Sequence, residues 1–226
     1  MKPNRVLAWD GCKNVRDLGG MTASDGGRTR WGAFVRGDTP SRLTADGWSA
    51  LYAHGVRTVV SLRTHGMMED HPVIVPPQPD IEVVSVEIED VTDREFAVKW
   101  ASSDLWGTPL YFSDALERWP QRHANALKVI ARARPGGVLF HCIRGNDRTG
   151  MIAFLTLALA GILPDEIVAD YELSIDASRD ELLAQQNTTA SEVILSLLAA
   201  LDVEDYLHGG GLTQDDIRSF RARFLE

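Results

Sequence analysis

The chain has 226 residues, 44% hydrophobic and 24% charged, with 23 Lys and Arg against 32 Asp and Glu, a formal net charge of −9. Those proportions fit a globular protein with a buried core and exclude a disordered chain, a collagen-like fibre and a coiled coil. The acidic balance argues against nucleic acid as a partner, because phosphate contacts need clustered cations, and more weakly against an anionic membrane surface.

At roughly 150 residues per domain, the length predicts a single domain over residues 1–226. Residues 1–11 carry no apolar run behind a basic start, so no secretory signal is expected. Two cysteines, Cys12 and Cys142, are too few for a disulfide framework, and together these features predict a cytoplasmic protein. Residues 33–36 and 57–62 read as short strands, the second rich in buried-type residues (Val59, Val60, Leu62). Between them Thr44 is a plausible N-cap for a helix reaching His54, with Trp48, Leu51 and Tyr52 as its apolar residues. Residues 72–79 hold four prolines and read as loop. Residues 81–88 alternate in part, with Val84, Val86 and Ile88 against Ser85 and Glu87, which predicts a half-exposed strand.

Residues 90–108 are polar with scattered aromatics and weak periodicity. Residues 110–134 carry helical spacing, with Leu116, Trp119, Leu127 and Ile130 as core candidates; Pro135-Gly136-Gly137 ends that stretch. Residues 138–140 form a short apolar strand, and a helix is expected from about Thr149. Its apolar run, 151–163, is shorter than the ~20 residues of a membrane span and predicts a buried helix rather than membrane insertion. Residues 165–174, 179–186, 191–201 and 213–224 read as helices. Strands alternating with helices predict an α/β sandwich with a mainly parallel central sheet flanked by helices, and a helical C-terminal portion from about residue 164. That portion either caps one edge of the sheet or completes the core; the pattern fits both.

The chemistry lies in His141-Cys142-Ile143-Arg144-Gly145-Asn146-Asp147-Arg148-Thr149-Gly150, between a buried strand and an apolar helix. A strand-to-helix turn curls backbone N–H groups into an anion nest, and the positive end of the following helix points at the same place. A cysteine held there becomes a usable nucleophile. Arg148 can fork two N–H bonds onto an oxyanion, Gly145 permits tight curvature, and Thr149 can offer its hydroxyl to the cysteine sulfur. Isolated cysteines before helices are usually buried hydrophobes; the flanking His141 and Arg148-Thr149-Gly150 favour catalysis here. A nucleotide loop is excluded, since Met151 and Ile152 stand where Lys and Ser or Thr belong. The remaining histidines lack metal-ligand spacing. The tryptophans read as core, and Arg16-Asp17 with Arg63 as a buried ion pair under the loop. Cys12 reads as an inert thiol rather than a redox partner of Cys142.

This arrangement resembles the Cys-x5-Arg-(Ser/Thr) phosphate loop of the protein tyrosine phosphatase superfamily. The segments 14–20 (Asn-Val-Arg-Asp-Leu-Gly-Gly), Arg36-Gly37-Asp38 and Ser61-Leu62-Arg63, together with Asp147 and Asp170-Tyr171 with Ser174, are similar to the bacterial tyrosine and dual-specificity (lipid) phosphatases. A secreted mycobacterial phosphatase is one of them. The resemblance spans roughly residues 8–180. It implies a tyrosine-phosphatase-like fold, a phosphocysteine intermediate on Cys142, no cofactor and no metal, and a phosphorylated substrate. Residues 143–149, namely Ile143, Arg144, Gly145, Asn146, Asp147, Arg148 and Thr149, would hold the phosphate.

Such chemistry needs a proton donor for the leaving oxygen. Asp90, Asp93, Asp104 and Asp147 are candidates. The stretch 81–91 resembles the strand and loop carrying the family's proposed acid, which selects Asp90, with Asp147 second. Relatives that accept phosphoinositides often carry Lys where this chain has Asn146, so a phosphotyrosine protein, or a small phosphorylated metabolite or nucleotide, is the better-matched substrate. A weakly catalytic phosphate-binding module is the alternative; rhodanese-like or arsenate-reductase-like thiol chemistry is disfavoured, since no partner cysteine lies in sequence reach.

Overall fold

The computed structural model describes residues 4–67 and 74–226. Of the proline-rich stretch, 68–73 lies outside the described residues, and 74–79 is irregular. Five strands form one sheet: β1 (Arg16–Asp17), β2 (Phe34–Gly37), β3 (Val56–His65), β4 (Glu82–Asp90) and β5 (Gly137–His141). Their order is β1-β2-β5-β3-β4, and only β1 runs antiparallel to its neighbour. The expected mainly parallel sheet is present, with β5 at its centre.

Alternation along the strands sends side chains to two separate apolar layers. Val35, Val59 and Leu139 face a small cluster with Trp9, Trp48 and Leu51; Phe34, Val60 and Phe140 face the larger one. The small cluster is covered by α1 (Ala45–Ala53), whose N-cap Thr44 accepts the Gly47 N–H at 3.2 Å, as its sequence suggests.

The larger layer begins with α2 (Arg94–Phe96), a single turn within the weakly periodic stretch, followed by further short turns at Ala97–Ala101, Asp104–Gly107 and Pro109–Tyr111. Residues 110–134, read as one helix, are two: α3 (Phe112–Arg118) and α4 (Pro120–Arg132). Pro120 lacks the N–H that continuation requires, and it pushes Trp119 out of helical geometry. Next come α5 (Asp147–Leu159), α6 (Pro164–Glu172), α7 (Ala177–Gln185), α8 (Ala190–Ala200), α9 (Val203–Gly209) and α10 (Gln214–Phe224). Sequence periodicity missed α9, which has only seven residues. The apolar run after the loop is indeed a buried helix: Met151, Ile152, Leu155 and Leu157 are at most 1% exposed. No helix among the described residues is long and apolar enough to cross a membrane.

The helical C-terminal portion does both things the pattern allowed. Ile194, Leu207, Ile217, Phe220 and Phe224 complete the larger core, while α7 lies against the Asp104–Gly107 turn beside the phosphate-loop segment.

Candidate active site

The central strand β5 ends at His141, and the chain turns through residues 142–146 into α5. This places Cys142 at the carboxyl edge of a parallel sheet, where open α/β folds collect their ligands. Gly145 makes the turn possible: its φ is +75°, and a Cβ there would meet the Gly37 carbonyl and the Asp38 nitrogen at 2.7 Å. The turn is tied down by Thr39 N–H donating to the Ile143 carbonyl at 3.1 Å. His141 is buried and donates from Nδ1 to the Cys142 carbonyl at 2.8 Å, steadying the loop. Thr149 corrects an expectation. Its hydroxyl donates to the Gly37 carbonyl at 3.4 Å and forms no hydrogen bond with the Cys142 sulfur.

Beneath the loop lies a buried ionic cluster. Asp170, from α6, pairs with Arg5 at 3.1 Å, Arg16 at 3.0 Å and Arg36 at 2.8 Å. Burial opposes the charge of Asp170, but these guanidiniums overwhelm that cost and hold its carboxyl far below the usual range. Arg36 also donates to the Gly145 carbonyl at 2.8 Å, and Arg16 to Ser174 Oγ at 2.9 Å. Asn14 donates to the Arg144 carbonyl at 2.9 Å and to Asn146 Oδ1 at 2.7 Å. Of the Arg16-Asp17 segment expected to form a buried ion pair with Arg63, Arg16 pairs with Asp170. Adjacent residues of a strand point to opposite faces, so Asp17 meets His54 at 2.6 Å instead.

Above the loop opens a cavity of about 680 Å³, lined by Cys142, Ile143, Arg144, Asp147 and Arg148 among others. Arg148 is 9% exposed and donates to the Leu62 carbonyl at 3.3 Å. Asp147, at the first turn of α5, has Oδ1 buried without a hydrogen-bond partner among the described residues, while Oδ2 lies 3.4 Å from Arg144. Burial pushes the Asp147 carboxyl up to about 6, against the pull of Arg144 and Arg148 and with the help of nearby Asp176. A carboxyl in that range holds and gives a proton near neutral pH.

Asp90 is placed differently from its expected role. It does not line this cavity; it bonds Arg122 at 2.9 Å, and the Thr92 N–H and hydroxyl at 2.9 and 2.6 Å. Burial raises its carboxyl, but the Thr92 hydrogen bonds, His65 and Arg122 outweigh burial and hold it below the usual range, in the anionic form. The cause is a local irregularity in β4. Thr64 pairs with Glu89 where Arg63 pairs with Glu87, so Ile88 is extra and the strand's parity flips. Glu89 therefore turns inward, fully buried, accepting from the Tyr111 hydroxyl at 2.6 Å and Thr64 at 3.1 Å. Burial raises the Glu89 carboxyl despite Arg148, Tyr111 and Thr64. Of the other candidates, Asp93 caps α2 and pairs with Arg118 at 2.9 Å, while Asp104 is exposed at the cavity mouth.

Sequence reasoning missed Glu89 and Asp176. Asp176 is the N-cap of α7, accepting from Arg179 N–H at 3.2 Å, and it also takes bonds from Asn146 at 3.0 Å and Arg144 at 3.3 Å. Its N-cap role was visible in Asp176-Ala-Ser-Arg; its reach to the loop was not. Asn146 is thus buried between Asn14 and Asp176, and Arg144 is exposed and shared between two carboxylates.

A family model described as the tyrosine phosphatase family matches residues 7–226. A protein of Cupriavidus necator named as a tyrosine-protein phosphatase is 30% identical over 208 residues, covering 87% of this chain and 70% of its own. The triple specificity protein phosphatase PtpB of Mycobacterium tuberculosis is 37% identical over 73 residues, 30% of this chain and 26% of its own. The crystal structure of P. aeruginosa TpbA in complex with phosphotyrosine aligns over 93% of this chain and all of that one, at 18% identity and a TM-score of 0.42.

Proposed function

The chain belongs to the tyrosine phosphatase family, and from that premise we propose that it hydrolyses phosphotyrosine through a phosphocysteine on Cys142. The Cys142 thiolate attacks phosphorus, the P–O bond to the tyrosyl oxygen breaks, and Asp147 gives its proton to the departing oxygen. Arg148 and the backbone N–H groups of residues 143–148 hold the non-bridging oxygens, whose charge reorganises in the transition state. In the second step Asp147, now anionic, takes a proton from water, whose oxygen displaces the Cys142 sulfur from phosphorus. Glu89 and Tyr111 support the wall beside Arg148, and Asp170 with its arginines supports the loop from below.

One observation carries this reading: Cys142, Arg148 and a carboxyl raised to about 6, Asp147, line a single cavity at the end of the central strand. Cys142→Ser tests it. Turnover of a phosphotyrosine peptide should vanish, the peptide should still bind, and the wild-type enzyme quenched in acid should carry one phosphate on Cys142 by mass spectrometry. Persistent turnover in the serine variant would sink the covalent mechanism.

A further inference from the structure

The cavity mouth carries more negative charge than hydrolysis uses. Asp104, on the Asp104–Gly107 turn, and Glu181, on α7, are exposed and line the mouth, and neither has an ion-pair or hydrogen-bond partner among the described residues. The cations nearby are already committed. Arg144 lies between Asp147 at 3.4 Å and Asp176 at 3.3 Å. Arg179 is 4% exposed, pairs with Asp180 at 2.7 Å and donates to the Ser174 carbonyl at 2.9 Å. Asn146 brings no charge. An apolar wall completes the rim: Met67 is exposed there, and Trp106 packs edge-on against Phe96 with ring centroids 6.1 Å apart.

A phosphorylated substrate therefore finds its complement at the cavity floor, around Arg148, while at the mouth Arg144 is shared between Asp147 and Asp176 and the described charged side chains without a partner, Asp104 and Glu181, are acidic. A second phosphate on the substrate would meet two unpaired carboxylates. A cation would be drawn to them, and an aryl ring or aliphatic stem would cover Trp106 and Met67. Building on the phosphatase reading, we propose that this enzyme selects phosphotyrosine flanked by Lys or Arg, with Asp104 and Glu181 as the specificity-determining residues. The net charge of −9 draws such a basic segment in and repels a polyanionic headgroup.

The test uses a phosphotyrosine peptide flanked by lysines, its twin flanked by glutamates, and a soluble short-chain phosphoinositide. Para-nitrophenyl phosphate, which has no flanks, serves as reference. At low ionic strength kcat/KM for the lysine peptide should exceed that for the glutamate peptide by about three- to tenfold, the size expected of two exposed charge pairs. Salt should shrink the ratio. The double substitution Asp104→Lys with Glu181→Lys should invert it, and the milder Asp104→Asn with Glu181→Gln should bring it to about one. Equal rates for the two wild-type peptides, a ratio unmoved in both double variants, or faster turnover of the phosphoinositide would overturn the proposal. Failure of the wild-type enzyme to hydrolyse even para-nitrophenyl phosphate would instead remove the phosphatase reading, and this one with it.

Discussion

The two sides of the phosphate loop are built from the same residue types and treat charge in opposite ways. Below it, Arg5, Arg16 and Arg36 converge on Asp170 at 3.1, 3.0 and 2.8 Å, and their spare donors reach Ser174 and the Gly145 carbonyl. Among the described residues, Arg36 Nε is the buried polar atom of this cluster left without a partner. Above it, among the described residues, Asp147 Oδ1 is buried and unbonded, Asp104 and Glu181 stand unpaired, and burial raises Glu89. Matched charges below make a rigid floor; unmatched ones above make groups that can exchange protons and attract ligands. Rigidity and reactivity are thus separated by the thickness of one loop.

The sharpest way to break that contrast is to remove its anion. Asp170→Asn leaves three arginines around a neutral amide, and should destabilise the fold by about 3–5 kcal/mol in denaturant titrations. Because the folded carboxyl is held far below the unfolded value, its stabilisation is fully present above about pH 4 and drains away as pH falls below that. A variant as stable as the wild type would show that the cluster does not brace the loop.

Opposite behaviour is expected on the reactive side. The Asp147 carboxyl sits at about 6 in the folded protein, above its unfolded value, so the wild type loses stability as pH rises from about 4 to about 6. Asp147→Asn removes that loss, and should stabilise the protein at pH 7 by about 3 kcal/mol while lowering turnover. A melting temperature that falls instead would place Asp147 among the structural groups. Smaller still is the effect expected at Asp90. Its pairing with Arg122 at the partly exposed surface makes Asp90→Asn worth about 1 kcal/mol or less in stability, with turnover close to wild type. A hundredfold loss there would restore Asp90 as the acid.

What the sequence discloses follows the same divide. The loop's chemistry is contiguous in the chain, so Cys142, Arg148 and the flanking strand and helix are legible from spacing alone. The central parallel sheet is legible too, because β3 and β5 are apolar runs bounded by helix signals. The floor is not: Arg16 and Asp170 lie 154 positions apart, and only resemblance, not pattern, joined them. Alternation sends Arg16 and Asp17 to opposite faces, so the segment divides between Asp170 and His54. Asp90 lies outside the cavity lining for a subtler reason. Regular alternation carries Val84, Val86 and Ile88 on to Asp90, whereas the extra residue at Ile88 hands the inward position to Glu89. No property of Ile88 announces a bulge. Pro120, by contrast, was a visible break in the helix read over 110–134.

In the proposed mechanism the proton for the leaving group comes from inside the loop, and a leaving-group series addresses that step directly. With kcat/KM measured for aryl phosphates whose phenols range from strongly to weakly acidic, a lost general acid costs little for good leaving groups and about 10²–10⁴ for poor ones. Asp147→Asn should steepen the dependence on phenol pKa and abolish the fall in rate as pH rises through about 6, while Asp90→Asn leaves both unchanged. A slope that stays at the wild-type value in Asp147→Asn and steepens in Asp90→Asn would contradict it.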